Sequence, residues 1–229
     1  MLPKLNVPMI DIDVPSLEKN VKFRPFKVKE EKILLLAKQD GSPEQMINAV
    51  IQIVNNCMVD DIDATKLPYF DIEYIFIKLR VAALGNQIEY KYTPPGTDVA
   101  LEARVDFEAV KITGDIKAKP GRVKLDENTA VILKYPSAMD LVSLEGDDNV
   151  YTDVARICIK SVVQGEDIFE FDNYSLEEQR EWIEQLSNEQ YAEFKSFFSD
   201  LPAVVIESKY RDAEGEIHTN ELRGLRNFF

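Results

Sequence analysis

The sequence is short of the groups on which most catalysis depends. It holds one histidine, His218, and two cysteines, Cys57 and Cys158, among 229 residues. Chemistry built on an imidazole base is therefore excluded unless His218 supplies it. Two thiols so far apart in the chain make no disulfide framework, and isolated cysteines usually fill core space as small apolar groups. Together with His218 they could offer three zinc ligands, but no C-x-x-C or H-x-x-x-H spacing supports such a site. The nine glycines never fall into G-x-G-x-x-G or G-x-x-x-x-G-K-[ST], and no G-x-S-x-G turn is present. Loops that cradle phosphates and the strained serine elbow of the hydrolases are thus missing. No enzymatic activity and no cofactor are expected.

Long apolar runs are missing too. The longest is Ile33 to Ala37, far short of the ~18–20 residues that span a bilayer. The opening Met1–Asn6 has no apolar core of the kind that marks a secretory signal. Acidic residues number 41 against 27 lysines and arginines, giving a net charge of −14 and an isoelectric point near 4.6. Such a surface repels nucleic-acid phosphates. The expectation is a soluble intracellular protein with neither membrane nor nucleic acid as partner.

What is present is an ordinary globular composition, 45% apolar and 30% charged. Val7, Met9 and Val14, then Val21 and Phe23, flank the turn Pro15–Asn20 and predict a hairpin. Pro25 forces Arg24 extended and ends it. Lys27–Lys38 predicts a helix closed by Gly41. Ser42-Pro43-Glu44-Gln45 then supplies an N-cap, a proline at the first helical position and a glutamine at the third. The next helix places Met46, Ala49, Val50, Ile53 and Val54 on one face. A third helix, Asp71–Leu84, is apolar on most sides, so it is either central to the core or covered by a partner.

From Asn86 to Tyr135 the period shortens to two. Ile88–Tyr92, Ala103–Ile112, Arg122–Leu125 and Ala130–Tyr135 predict strands, with turns at Pro94-Pro95-Gly96 and Lys119-Pro120-Gly121. After Pro136 a helix capped by Ser137 and another over Val150–Lys160 are expected. A hairpin follows around Gln164–Asp167, then two helices opened by the capping boxes Ser175–Glu178 and Ser187–Gln190. Pro202 ends them, and Val204–Ile206 with Glu216–Thr219 predicts a final hairpin. The class is α+β: a helical core with an N-terminal β-hairpin, a small antiparallel β insert, and a C-terminal helix pair plus hairpin. Three parts are expected, residues 1–85, 86–136 and 137–229.

The acidic clusters are the nearest thing to a site. Asp60-Asp61-Ile62-Asp63 opens like a calcium loop, but Lys66 stands where that loop needs glycine and Ile72 where it needs a bidentate glutamate. Gly146–Asn149 and Asp126–Asn128 are turn compositions. His218 beside Thr219 is expected to face solvent. A metal-dependent hydrolase at Asp60–Asp63 is the remaining enzymatic reading, to be tested by metal-dependent melting. Phe228 and Phe229 need burial, either on the protein's own core or in a partner's groove.

Taken in combination, these residues resemble a known family. Arg24-Pro25-Phe26-Lys27-Val28-Lys29-Glu30-Glu31-Lys32, followed by Leu34-Leu35-Leu36-Ala37, resembles the N-terminal signature of the baseplate hub and hub-assembly proteins of T-even-like contractile-tailed bacteriophages. Phe70–Val81 fits the same family's second signature, F-D-x-E-Y-x-F-x-x-L-R, and the ending Leu222–Phe229 is similar to that of such proteins. The resemblance implies a non-enzymatic viral protein, made in the host cytoplasm and either retained in the virion's tail baseplate or acting only in assembly, that builds or helps assemble the hub. Its partners would be other hub or tail proteins, a second copy among them.

The residues singled out for partner binding are Arg24, Phe26, Glu30, Asp71, Glu73, Arg80, Leu225, Phe228 and Phe229. Arg24 and Glu30 are expected to pair across the strand–helix junction, Asp71 to cap its helix, Glu73 to favour the positive helix end, and Arg80 to need an acidic partner. Each of these five residues admits a structural role as well as a direct contact. Deleting Asn227–Phe229 should leave the fold intact and weaken partner binding. The N-terminal layout is also similar to that of tail-assembly chaperones, which hold tape-measure proteins. A chaperone absent from the finished particle is therefore the alternative.

Overall fold

The chain begins as an antiparallel hairpin, β1 (Ile10–Val14) and β2 (Lys19–Phe23), with Ile12 opposite Val21 and Ile10 opposite Phe23. Alternation places Ile12, Val14, Val21 and Phe23 inside while Asp11 and Lys22 face out. The computed structural model describes residues 7–114, 116, 121–144, 150–212 and 214–224, and among them the chain forms an α+β fold of seven α-helices and eleven strands. The expected sites Leu225, Phe228 and Phe229 and the Gly146–Asn149 turn lie outside the described residues, as do Lys119 and Pro120.

The described chain divides into two compact units. One contains residues 1–113 and 203–229, the other 114–202. In the first, α1 (Val28–Asp40) ends at Gly41, whose φ of 79° is left-handed. A glycine adopts that conformation without the side-chain clash other residues incur. Next comes α2 (Pro43–Cys57), capped as expected by the Ser42 hydroxyl accepting from the Gln45 N–H at 3.2 Å. α3 (Tyr69–Leu84) packs against β1, α2, the short 3₁₀ turn Phe107–Ala109 and the late strand Ala203–Arg211. That setting explains its apolar circumference: Phe70, Ile72, Ile75, Phe76, Ile77 and Leu79 are all buried, and only the last turn emerges. α3 is internal core.

Three more strands precede the second unit: β3 (Gln87–Tyr92), β4 (Leu101–Asp106) and β5 (Lys111–Thr113). One strand was expected over Ala103–Ile112. Instead Asp106 accepts from the Glu108 N–H at 3.0 Å and turns the chain, burying Phe107 against the core.

The second unit has β6 (Arg122–Lys124), β7 (Thr129–Leu133), α4 (Ala138–Val142), α5 (Val150–Arg156), β8 (Ile159–Gln164), β9 (Asp167–Glu170), α6 (Leu176–Glu184) and α7 (Asn188–Ser199). Its four strands run antiparallel in the order β6-β7-β8-β9. The helix expected through Lys160 stops at Arg156, because Ile159, Val162 and Val163 pair with β7. Three capping boxes, Ser137 with Asp140, Ser175 with Glu178 and Ser187 with Gln190, start α4, α6 and α7. Val131, Ile157, Cys158, Ile159, Ile183 and Phe194 fill the core. Asp153 is buried in α5, and Arg180 Nη2 (2.6 Å) and Arg156 Nε (2.9 Å) both reach it. Burial pushes its carboxyl up, but the two guanidiniums outweigh that and hold it below the usual carboxylate range.

The chain then returns to the first unit as β10 (Ala203–Arg211) and β11 (Ile217–Arg223), which join β3, β4 and β5 in one sheet. Strands read along the chain as one insert, residues 86–136, thus belong to two sheets: β3–β5 go with β10 and β11, β6 and β7 with β8 and β9. Residues that meet across this sheet are remote in sequence: Ser208 on β10 pairs with Val105 on β4, and its hydroxyl accepts from that of Tyr90 on β3 at 2.7 Å. No local pattern announces them.

Candidate partner-binding site

The first signature forms one junction. Arg24 follows β2, its N–H donating to the Cys57 carbonyl at 2.8 Å. Its guanidinium meets the carboxylate of Glu30 through two bonds, Nη2–Oε1 at 2.9 Å and Nη1–Oε2 at 3.2 Å. Glu30 also accepts from the Lys27 N–H at 2.9 Å, satisfying a free donor at the start of α1. Although Glu30 is completely buried, and burial pushes its carboxyl up, Arg24 and the Lys27 N–H together hold it below its ordinary value. Phe26, between the two, packs its ring 5.7 Å from that of Phe76 on α3.

The second signature supplies the surface on which this junction rests. Asp71 is not the helix cap. Pro68 occupies that position, α3 starts at Tyr69, and Asp71 lies in the first turn. Its buried carboxylate accepts instead from the N–H (3.2 Å) and hydroxyl of Ser16, fastening α3 to the β1–β2 turn. Burial raises the Asp71 carboxyl to about 6 despite those two bonds. Glu73, two residues on, is buried as well. Arg80 meets no carboxylate among the described residues. Its guanidinium lies over the Phe107 ring, 4.6 Å from the centroid, with Nη1 buried and unbonded, and burial lowers its pKa.

Arg24, Phe26 and Glu30 are therefore brought together at one end of α1, while Asp71, Glu73 and Arg80 are strung along α3. Glu30, Asp71 and Glu73 are buried and act on the frame. The surface that this frame presents is α1 itself. Of its thirteen residues only Glu30 and Ala37 are buried, while Val28, Leu35 and Leu36 are 69%, 55% and 66% exposed. An apolar run covering more than one helical face cannot be buried on one side, and here the excess faces outward. Sequence reading saw the run but not which part of it would be left uncovered.

The remaining candidates have structural occupations. Asp60 accepts from the Lys22 N–H at 3.0 Å, and Asp63 caps the 3₁₀ turn Ala64–Lys66 through the Thr65 N–H at 3.0 Å. Cys57 and Cys158 are buried, and burial pushes their thiols up to about 11 and about 12, values at which a thiol is a poor nucleophile or ligand at neutral pH. Asp212, Glu216 and His218 form the one group of three potential metal ligands among the described residues, within 4.8 Å of one another. Asp212 is already engaged there: it bonds His218 Nε2 at 2.5 Å and the Glu216 N–H at 2.8 Å, clasping the β10–β11 turn. His218 is 41% exposed and stacks on Tyr210. No helix among the described residues is long and apolar enough to cross a membrane.

No curated protein and no solved structure matches the chain. A protein-family model, described as T4 bacteriophage base plate protein, matches residues 7–229. With the match running from the first hairpin through both signatures to the last residue, the chain belongs to this family of phage baseplate proteins.

Proposed function

We propose that this baseplate protein is a non-enzymatic component that builds or helps assemble the hub through protein–protein contacts. The observation that carries the reading is α1. Its start is fixed by the Arg24–Glu30 pair and its end by Gly41, and between them Val28, Leu35 and Leu36 stand exposed. A rigid helix bearing uncovered aliphatic side chains is an interaction surface prepared for another protein. The partner is another hub or tail protein. In this reading Arg24, Phe26, Glu30, Asp71, Glu73 and Arg80 position α1 and α3, and Leu225, Phe228 and Phe229 add a second contact.

Mass spectrometry of purified virions against infected-cell lysate tests the role. Stoichiometric presence in particles supports a hub component. Abundance in lysate with absence from particles would instead assign the chaperone role, in which the same helix holds a tail protein transiently. Phage carrying Leu35→Ser with Leu36→Ser are expected to make soluble protein, since both positions are exposed, but few complete baseplates.

A further inference from the structure

The second unit carries an unassigned cleft with a chemistry of its own. It lies where α6 crosses the face of the β7-β8-β9 sheet, has a volume of about 280 Å³, and is lined by Val162, Phe169, Phe171, Tyr174, Gln179 and Trp182 among others. Phe169 and Tyr174 are 38% and 41% exposed at its mouth, with Ile168 and Leu176 more exposed beside it. Its floor is set: Phe171 and Trp182 meet edge to face at 5.7 Å, and the Gln179 amide donates to the Phe171 and Tyr174 carbonyls at 2.8 and 2.9 Å. The cleft opens beside β9, which pairs with β8 on one side and with no strand on the other among the described residues. All four β9 residues are exposed. Alternate N–H and C=O groups of such an edge point outward and unpaired.

Charge selects the occupant. From Gly165 to Glu178 the chain carries Glu166, Asp167, Glu170, Asp172, Glu177 and Glu178 and not one lysine or arginine. Asp172 is paired with Lys134, and Glu178 is spent on the Ser175 cap. Arg180, on the adjoining helix, is turned to Asp153. Glu166, Asp167, Glu170 and Glu177 meet no cation among the described residues. An apolar cleft, an open strand edge and uncompensated negative charge thus coincide. We infer that this edge binds an extended segment of a partner protein that adds a strand to β9, places one bulky apolar side chain in the cleft, and carries lysine or arginine on either side. Main-chain pairing supplies affinity in this mode, the pocket and the charges specificity. The inference rests on the reading that the chain works through protein contacts. It needs no virion to test, so its failure and that of the hub role are separable.

Selection from a library of random peptides on the purified full chain is the test. The expected winners carry an aromatic or aliphatic residue flanked by lysine or arginine. Their binding, read by fluorescence anisotropy, should weaken about tenfold or more in Glu166→Gln/Asp167→Asn/Glu170→Gln, in Phe169→Ser, and at raised salt. N-methylation of alternate amides along one edge of a winning peptide should abolish binding, while the other register is tolerated. The charge variant changes exposed residues only, so it decides the matter even if Phe169→Ser fails to fold. No enriched peptide, peptides without basic residues, or binding unchanged by the charge variant would overturn the inference. Equal tolerance of both methylation registers would overturn its strand-addition part.

Discussion

Arg24 and Glu30 face each other across the junction between β2 and α1, the guanidinium holding both carboxylate oxygens at 2.9 and 3.2 Å. Glu30 is fully buried and Arg24 nearly so, its side chain 14% exposed. Removing one partner of such a pair strands the other's charge, a loss of about 3–5 kcal/mol, whereas removing both is much cheaper. Arg24→Ala should therefore be the most damaging change, Glu30→Gln milder, and the double variant less costly than the two singles added. A double-mutant cycle by urea unfolding, followed by far-UV circular dichroism, reads this out. Strict additivity would mean that the pair does not set the junction.

Asp71 makes stability depend on pH in the sense opposite to a salt-bridged carboxylate. Its folded-state pKa is raised, to about 6, while in the unfolded chain an aspartate titrates near ~3.9. The folded state thus holds a proton that the unfolded state has released. The associated stability is fully present below about pH 4 and is lost as pH rises through about 6, with a ceiling of about 3 kcal/mol. Asp71→Asn cannot ionise and still offers Ser16 an acceptor. Its melting temperature should gain on that of the natural protein steadily between pH 4 and pH 7. Parallel pH profiles would show that Asp71 stays ionised when buried.

The contrast between these two acids shows what could be read from the chain. Arg24 and Glu30 are near neighbours flanking a proline that fixes the junction, so their pairing follows from local geometry. The same holds for Gly41 and for the serine caps of α2, α4, α6 and α7, whose partners stand three residues on. The bond of Ser16 to Asp71 joins elements 55 positions apart, and a helix-start aspartate has a ready local role that conceals it. Arg80 misled for a related reason. An acid is the usual partner for a half-buried guanidinium, but Phe107, delivered by a turn between two strands, took that place. The sheet membership of β3–β5 depends on β10, nearly the length of a domain away. The cleft beside β9 was written in the sequence only as a run of carboxylates among aromatics.

Gly114 stands where the chain enters the second unit, with φ at +87°. A Cβ there would also lie 3.4 Å from the Pro202 Cα, which is ordinary contact, so conformation rather than space decides. Gly114→Ala should cost about 1–2 kcal/mol for forcing an alanine into left-handed backbone. Gly121 meets nothing within 4 Å and has no positive φ, so Gly121→Ala is the control and should melt at or slightly above the natural temperature. Equal melting temperatures for the two variants would remove the conformational argument.

The pairing of Thr113 with Ala203 gives the strongest prediction about architecture. These residues are the last of the first unit before the break and the first after it, and they are direct cross-strand partners in the β5–β10 ladder. Partners of that kind have Cβ atoms ~5 Å apart, a gap that a two-residue Asn-Gly turn closes with the twist a hairpin requires. Replacing residues 114–202 by such a turn should leave the first unit folded, because its core residues Val50, Ile53, Ile75, Phe76, Phe107 and Val204 all lie outside the excised segment. The single tryptophan, Trp182, leaves with that segment, so unfolding is followed by far-UV circular dichroism. One cooperative transition would show that the second unit is an insertion which the first unit does not need for folding. A non-cooperative melt with exposed apolar surface would show that the two units fold only together.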